Sequence, residues 1–170
     1  MGYILLFLEY IWIKRNSYLV QIAFCSLIGL GIYCFSNEQV LAQYSLDFYN
    51  NMMTVLGILT GFSISIFTVF LTIDNENIRE AKDEKLKIRN KVIKLYGKEV
   101  SLYDSILIGL AYVIILQSAL LIVNFILPVF IDIATANGKL FFSITFAIAV
   151  HIILVLMRSV LDFYFIITKK

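Results

Sequence analysis

The sequence contains little charge for its length, and this scarcity sets the class of the protein. Charged residues make up 15% of the 170 residues, hydrophobic residues make up 61%, and the chain has a single proline. A soluble domain of this size needs more polar side chains to cover its surface, so we expect an integral membrane protein. The formal net charge of +2 also argues against direct nucleic-acid binding.

Cysteine and histidine are scarce too, and this excludes disulfide and zinc chemistry. Cys25 and Cys34 lie in one apolar stretch, and their spacing corresponds to roughly 13 Å along a helix, too far for a bond between them. The chain has no CxxC motif, and His151 is its only histidine. No metal site is therefore expected.

Four apolar segments are long enough to cross a bilayer as helices, which takes about 20 residues. They are Tyr18 to Phe35, Met52 to Ile73, Leu102 to Leu127 and Leu140 to Ile167. Basic residues precede the first segment, eight more lie within residues 74–101, and the chain ends in two lysines. The positive-inside rule then predicts an all-α protein, one four-helix transmembrane domain over residues 1–170 with both termini cytoplasmic.

Two further helices are expected on the cytoplasmic side. Residues 1–13 are apolar but too short to cross the membrane, so they suit an interfacial helix, with a re-entrant or partner-docking segment as the alternative. Residues 74–101 lack proline and place four lysines in one half of a helical wheel: Lys87, Lys91, Lys94 and Lys98. The pattern predicts a basic amphipathic helix that contacts anionic lipid, other subunits or a soluble protein.

The second span carries a continuous face of small and hydroxylated residues. Steps of three and four residues place on this face Thr54, Gly57, Gly61, Ser65, Thr68 and Thr72. Small residues at this spacing favour close packing of one helix on another. In a homo-oligomer the same face would line a pore and solvate ions. The sequence leaves both interpretations open.

Ionisable residues at the ends of and within the spans form a second candidate site. The residues of this predicted cluster are Asp104, His151, Arg158 and Asp162. Charges inside a bilayer are costly and usually face the protein interior. We expect Arg158 to pair with Asp162, with Asp104 or with both, either locking two helices together or forming a gate or a lipid contact. His151 is expected to hydrogen-bond to the third span, at Gln117 or Asn124.

No arrangement of residues indicates catalysis. The acidic residues are scattered near the ends of the spans, and the single histidine has no serine or aspartate partner at its depth. The segment between the second and third spans has neither a Gly-rich loop nor an acidic cluster for phosphate chemistry. We therefore expect a protein that is not an enzyme and has no cofactor.

The layout resembles the small four-helix membrane subunits of bacterial anti-phage systems. The features that carry this resemblance are the two cytoplasmic ends, the lack of a soluble domain, and a Gly/Ser-rich second span that runs into a charged segment, GILTGFSISIFTVFLTIDNENIREAKDEK. The chain looks most like the membrane subunit of the Kiwa system, with the channel-forming Hailong effector as a second candidate. The resemblance implies a homo-oligomer, preferably a tetramer, in the inner membrane, with a cytoplasmic protein partner.

These observations together predict a sensor or anchor at the bacterial inner membrane that docks a cytoplasmic protein of a defence complex. The first alternative is an ion channel or pore effector that is lined by the second span and depolarises the membrane. The second alternative is a holin-like lysis protein, whose lesions would be large enough to release proteins.

Overall fold

Helices dominate the structure, a computed structural model that describes the backbone of residues 2–88, 91–130 and 135–168. Side chains are described over these ranges except at residues 2–4, 38–46, 88, 91, 127–128 and 136–137. The helices are α1 Gly2–Ile13, α2 Arg15–Phe35, α3 Glu38–Thr72, α4 Glu76–Asp83, α5 Leu102–Phe130 and α6 Ala136–Thr168. The strands are β1 Lys87–Ile88, β2 Lys91–Val92, β3 Lys94–Leu95 and β4 Lys98–Glu99.

Four of the described helices, α2, α3, α5 and α6, are long and apolar enough to cross a membrane. Their apolar stretches are Arg15–Phe35, Asp47–Thr72, Leu102–Ile126 and Gly138–Thr168. The four predicted apolar segments are therefore confirmed as helices that are long and apolar enough to cross a membrane, which suggests a multi-pass membrane protein. The helix of the second span begins at Glu38, well before the predicted Met52, because the intervening sequence has no glycine or proline to end it.

Polar side chains fix the ends of several helices. Asn75 caps α4, where its Oδ1 accepts a hydrogen bond from the backbone N–H of Ile78 at 2.8 Å. At the start of α5, Ser101 Oγ accepts from the N–H of Asp104 at 3.0 Å, and Asp104 Oδ2 accepts from the N–H of Ser101 at 3.1 Å. This reciprocal capping box satisfies two backbone donors and sets where α5 begins.

The segment between α3 and α5 corrects the prediction of one amphipathic helix over residues 74–101. Among the described residues of this segment, only Glu76–Asp83 are helical, and two antiparallel ribbons follow, β1–β2 and β3–β4. Backbone hydrogen bonds of 2.8–3.0 Å link the ribbons in a ring, from Leu86 to Val100, from Val100 to Ile93 and from Ile93 to Leu86. A helical wheel cannot detect pairing between strands, because it tests only whether residues share one face of a helix at 100° per residue.

A two-residue turn explains why the second ribbon forms. Tyr96 and Gly97 both have positive φ, 50° and 81°, as a type I′ hairpin turn requires. Lysines alternate with Leu95, Ile93 and other β-formers on either side of this turn, so the flanking residues suit short strands better than a helix. Tyr-Gly is not one of the residue pairs that usually mark a type I′ turn, so the sequence indicates this hairpin only weakly.

We expect Gly97→Ala to destabilise the second ribbon by about 1 kcal/mol, because a Cβ disfavours the left-handed backbone at this position. Amide hydrogen exchange of residues 94–99 in the reconstituted protein measures the effect as roughly fivefold faster exchange. Gly31→Ala is the matched control, since Gly31 is helical and a Cβ there would have no heavy atom within 4 Å. Unchanged protection in Gly97→Ala would contradict this account of the turn.

The contacts of the chain define two compact units. The first comprises Met1–Tyr18, Ser63–Ile115 and Val155–Lys170, and the second comprises Leu19–Phe62 and Leu116–Leu154. A buried apolar cluster forms the core of the first unit, made of Phe70, Ile78, Ala81, Ile106, Leu110 and Ile166. A hydrogen bond also joins α4 to α6, since Asn77 Nδ2 donates to the carbonyl of Ile167 at 2.8 Å.

The second unit is held by aromatic rings and by one close helix approach. The ring of Phe48 lies 4.5 Å from that of Phe142, and Tyr49 is buried beside them. Gly29 lets α2 approach α6, because a Cβ there would lie 3.1 Å from the Cβ of Ala147. Alanine at Gly29 would require the neighbouring atoms of α6 to shift by a few tenths of an ångström, and a bulkier residue would require a larger shift.

Candidate functional site

A cluster of charges in the first unit joins α6 to the junction of α1 and α2. Lys14 Nζ donates a hydrogen bond to Asp162 Oδ2 at 3.3 Å. Arg158 Nε lies 4.0 Å from the same carboxylate oxygen, and Arg158 Nη1 donates to Ser17 Oγ. One carboxylate is therefore shared by two cations, which leaves the cluster with an excess of positive charge.

Burial makes these contacts stronger than surface ion pairs. The side chain of Lys14 is 13% exposed and that of Asp162 is 33% exposed. Burial lowers the pKa of Lys14, and the Asp162 carboxylate opposes this shift. The ion pair thus helps to keep the half-buried ammonium of Lys14 charged. Because Lys14 and Arg158 both contact the Asp162 carboxylate, both contacts require Asp162.

Aromatic rings hold α1 against α5 next to this cluster. The buried ring of Tyr10 stacks on that of Tyr112 with 4.1 Å between centroids, and Tyr18 meets Tyr10 edge-on at 6.0 Å. Burial raises the pKa of Tyr10 to about 12. Sequence reasoning missed Tyr10, Lys14 and Ser17 as members of this site. The position of Lys14 immediately before the first span was the only available signal.

Two members of the predicted cluster lie elsewhere. Of the two predicted partners of Arg158, Asp162 lies beside it, whereas the Asp104 carboxylate accepts from the Ser101 backbone in the capping box of α5. His151 is buried in the second unit, whereas Arg158 and Asp162 belong to the first. The predicted bond from His151 to Gln117 does not form, since neither amide atom of Gln117 has a hydrogen-bond partner in the described part of the chain.

The small-residue face of α3 lies on the outside of the single chain. All six predicted residues of this face are exposed: Thr54, Gly57, Gly61, Ser65, Thr68 and Thr72. The hydroxyls of Thr54, Thr68 and Thr72 donate to carbonyls of the preceding turn of α3 at 2.9–3.1 Å. A Cβ built at Gly57 or Gly61 would have no heavy atom within 4 Å. The face is therefore not a packing seam within one chain.

The four lysines of the predicted helical face each begin a strand instead. Lys87, Lys91, Lys94 and Lys98 are the first residues of β1, β2, β3 and β4, and the side chain of Lys91 lies outside the described residues. In the second ribbon, Lys94 pairs with Glu99 and Leu95 pairs with Lys98, so these two lysines lie on opposite faces. The prediction of one common basic face is therefore wrong for the second ribbon.

A surface ion pair joins the residues just before β1 to β4. Lys85 Nζ lies 2.5 Å from Glu99 Oε2, and this hydrogen bond holds the pKa of Glu99 below its ordinary value. Lys85 also forms an isolated antiparallel bridge with Ser101. The pair therefore reinforces the closure of the ribbons next to α5.

Among the residues that the structure describes, no group of three or more His, Cys, Asp or Glu side chains could hold a metal ion. Comparisons with protein-family models, with curated proteins and with solved structures find no match to this chain. Inferences about function therefore depend on the charge cluster, the α3 face and the ribbons of this chain.

Proposed function

We propose that the chain is a non-enzymatic, homo-oligomeric subunit of a bacterial inner-membrane complex that acts in anti-phage defence. In this role it senses or anchors at the membrane and docks a cytoplasmic protein. The resemblance in layout to membrane subunits of defence systems motivates the biological setting and favours a tetramer. The exposed face of α3 motivates the assembly.

The exposed small-residue face of α3 is the observation that carries the proposal. Its threonine hydroxyls donate within their own helix, and the open space at Gly57 and Gly61 would let a second helix approach closely. Lipid chains fill the spaces between small side chains poorly, whereas the equivalent helix of another copy can pack closely against them. We therefore assign this face to contacts between copies of the chain.

The distribution of charge supports a cytoplasmic orientation for the first unit. Thirteen of the fourteen basic residues of the sequence fall within the ranges of this unit, and Lys139 is the exception. Positive charge concentrates on the cytoplasmic side of membrane proteins. The termini and the ribbons would then face the cytoplasm, where a soluble partner can reach Lys87, Lys94 and Lys98.

A pore is the second candidate function, and the same α3 face favours it. Each threonine hydroxyl that donates to its own helix keeps its oxygen lone pairs as acceptors on the exposed side. A ring of such faces around an axis would present oxygen atoms to a cation, as pore linings do. Opening such a pore would depolarise the membrane.

Native mass spectrometry of the tagged protein, extracted gently from its own host, tests the main proposal. We expect a homo-oligomer that carries a soluble protein in fixed stoichiometry. Replacing Lys87, Lys91, Lys94 and Lys98 together by glutamate should release this protein while the oligomer keeps its mass, because the charges that attract the partner are reversed.

Exchanging the exposed Arg79 and Lys82 for glutamate is the control, since these residues lie on α4 rather than on the ribbons. Release of the partner by this control would mean that overall charge, not the ribbons, holds it. A bare homo-oligomer from the wild-type chain would favour the pore, and a monomer would contradict both proposals.

A further inference from the structure

A groove between α1 and the second ribbon shares only Lys94 with the partner-docking surface proposed above. Its volume is about 240 Å³, and it is lined by Leu8, Glu9, Trp12, Lys94, Leu95 and Tyr96. Pockets for whole small molecules typically measure roughly 300–1,000 Å³. This groove is therefore sized for a headgroup or for part of a longer molecule.

The aromatic and apolar lining of the groove suits the surface of a membrane. Leu8, Trp12 and Tyr96 are 57%, 63% and 71% exposed. Trp12 comes shortly before α2 begins at Arg15, and the ribbon comes shortly before α5 begins at Leu102. The groove thus lies next to the first residues of two candidate spans, a position that would suit the lipid headgroups, where tryptophan and tyrosine are favoured.

The groove also presents two opposite charges that are not paired with each other. In the described part of the chain, neither Glu9 nor Lys94 takes part in an ion pair. Glu99, the cross-strand neighbour of Lys94, is bound to Lys85 and interacts with Lys94 only through a weaker electrostatic attraction. A carboxylate and an ammonium group therefore both face this groove and are available to a ligand that carries the complementary charges.

We propose that the groove binds the headgroup of a phospholipid with both a phosphate and a primary ammonium group, as in phosphatidylethanolamine. The phosphate pairs with Lys94 and the ammonium donates to Glu9, while the glycerol end rests on Leu8 and Trp12. A choline headgroup has no N–H to donate to Glu9, and a glycerol headgroup has no cation. The site needs only a membrane at the groove, so it stands independently of the defence role.

Fluorescence quenching tests this site directly, because Trp12 is the only tryptophan in the sequence. The full chain is reconstituted into phosphatidylcholine vesicles that contain equal mole fractions of brominated phosphatidylethanolamine, phosphatidylcholine or phosphatidylglycerol. We expect brominated phosphatidylethanolamine to quench Trp12 most strongly, with an enrichment of about two- to fivefold over phosphatidylcholine, as one exposed ion pair supports.

Charge-neutral variants then locate the preference. Glu9→Gln and Lys94→Gln should each abolish the preference for phosphatidylethanolamine over phosphatidylcholine. Lys98→Gln should keep it, because Lys98 does not line the groove, although the variant makes the same change in net charge as Lys94→Gln. A well-folded reconstituted variant is recognised by its unchanged oligomer mass, so that loss of the preference is not confused with misfolding.

Three results would overturn the site. Equal quenching of the wild-type chain by the three lipids would show that Glu9 and Lys94 simply neutralise each other. Strongest quenching by phosphatidylglycerol would show general attraction of anionic lipid by the basic ribbons. A preference that survives in both Glu9→Gln and Lys94→Gln, or that is lost in Lys98→Gln, would place recognition outside the groove.

Discussion

Asp162→Asn is expected to destabilise the first unit by roughly 2–3 kcal/mol, because the substitution leaves Lys14 and Arg158 without their shared carboxylate. Removing one partner of a fully buried ion pair costs about 3–5 kcal/mol, and the effect here is smaller since the Asp162 side chain is 33% exposed. Chemical unfolding of the purified protein in detergent, compared with the wild-type chain, gives this loss of stability.

The Asp74–Arg79 pair provides a matched control for Asp162→Asn. Its atoms are closer, at 2.7 Å, but the side chains are 59% and 70% exposed. Fully exposed pairs contribute little to stability, so Asp74→Asn should lower it much less than Asp162→Asn does. Equal effects of the two substitutions would show that the cluster at Asp162 is as solvated as a surface pair.

A double substitution separates charge from packing at the same cluster. Lys14→Gln combined with Asp162→Asn removes a cation and the anion together, and should recover part of the stability that Asp162→Asn loses. If the losses of the two single variants simply add, then Lys14 and Asp162 do not interact across α1–α2 and α6.

Much of the helical architecture could be predicted from the sequence, because membrane spans leave a strong and simple pattern. The boundaries of α5 and α6 were close to the predicted ones, since Ser101 and Asp104 form a capping signature and apolar residues continue without interruption. The start of α3 at Glu38 was not predicted, because the residues before Met52 are too polar to be recognised as part of a membrane span.

The ribbons and the charge cluster could not be predicted in the same way, for two physical reasons. The 100° wheel grouped Lys87 to Lys98 as a helix, although Tyr96-Gly97 provides a hairpin turn that only backbone torsion reveals. Lys14 is far from Asp162 in the sequence, and Asp104 is far from Arg158, so which of these pairs forms depends on how the helices pack. Of the contacts in this cluster, the sequence correctly predicted only that Arg158 lies beside Asp162, because the two residues share one face of α6.

The other large effect is expected at the exposed face of α3. Gly61→Leu should weaken association between copies by about five- to hundredfold, because added methylenes in a close helix contact cost about 1–3 kcal/mol. The fold of the single chain should be unaffected, since a Cβ at Gly61 has no heavy atom within 4 Å. The oligomer population is measured by native mass spectrometry over a dilution series, with Gly31→Leu on α2 as the control.

Conductance of the same variant in planar bilayers distinguishes a packing seam from a pore. If the α3 faces pack on one another, Gly61→Leu dissociates the oligomer and any conductance disappears with it. If they line a pore, the oligomer keeps its mass and conductance alone is lost, because leucine narrows and dehydrates the path. Intact assembly with unchanged conductance would contradict both roles, since a bulky side chain at Gly61 disturbs any partner, helix or ion, that uses this face.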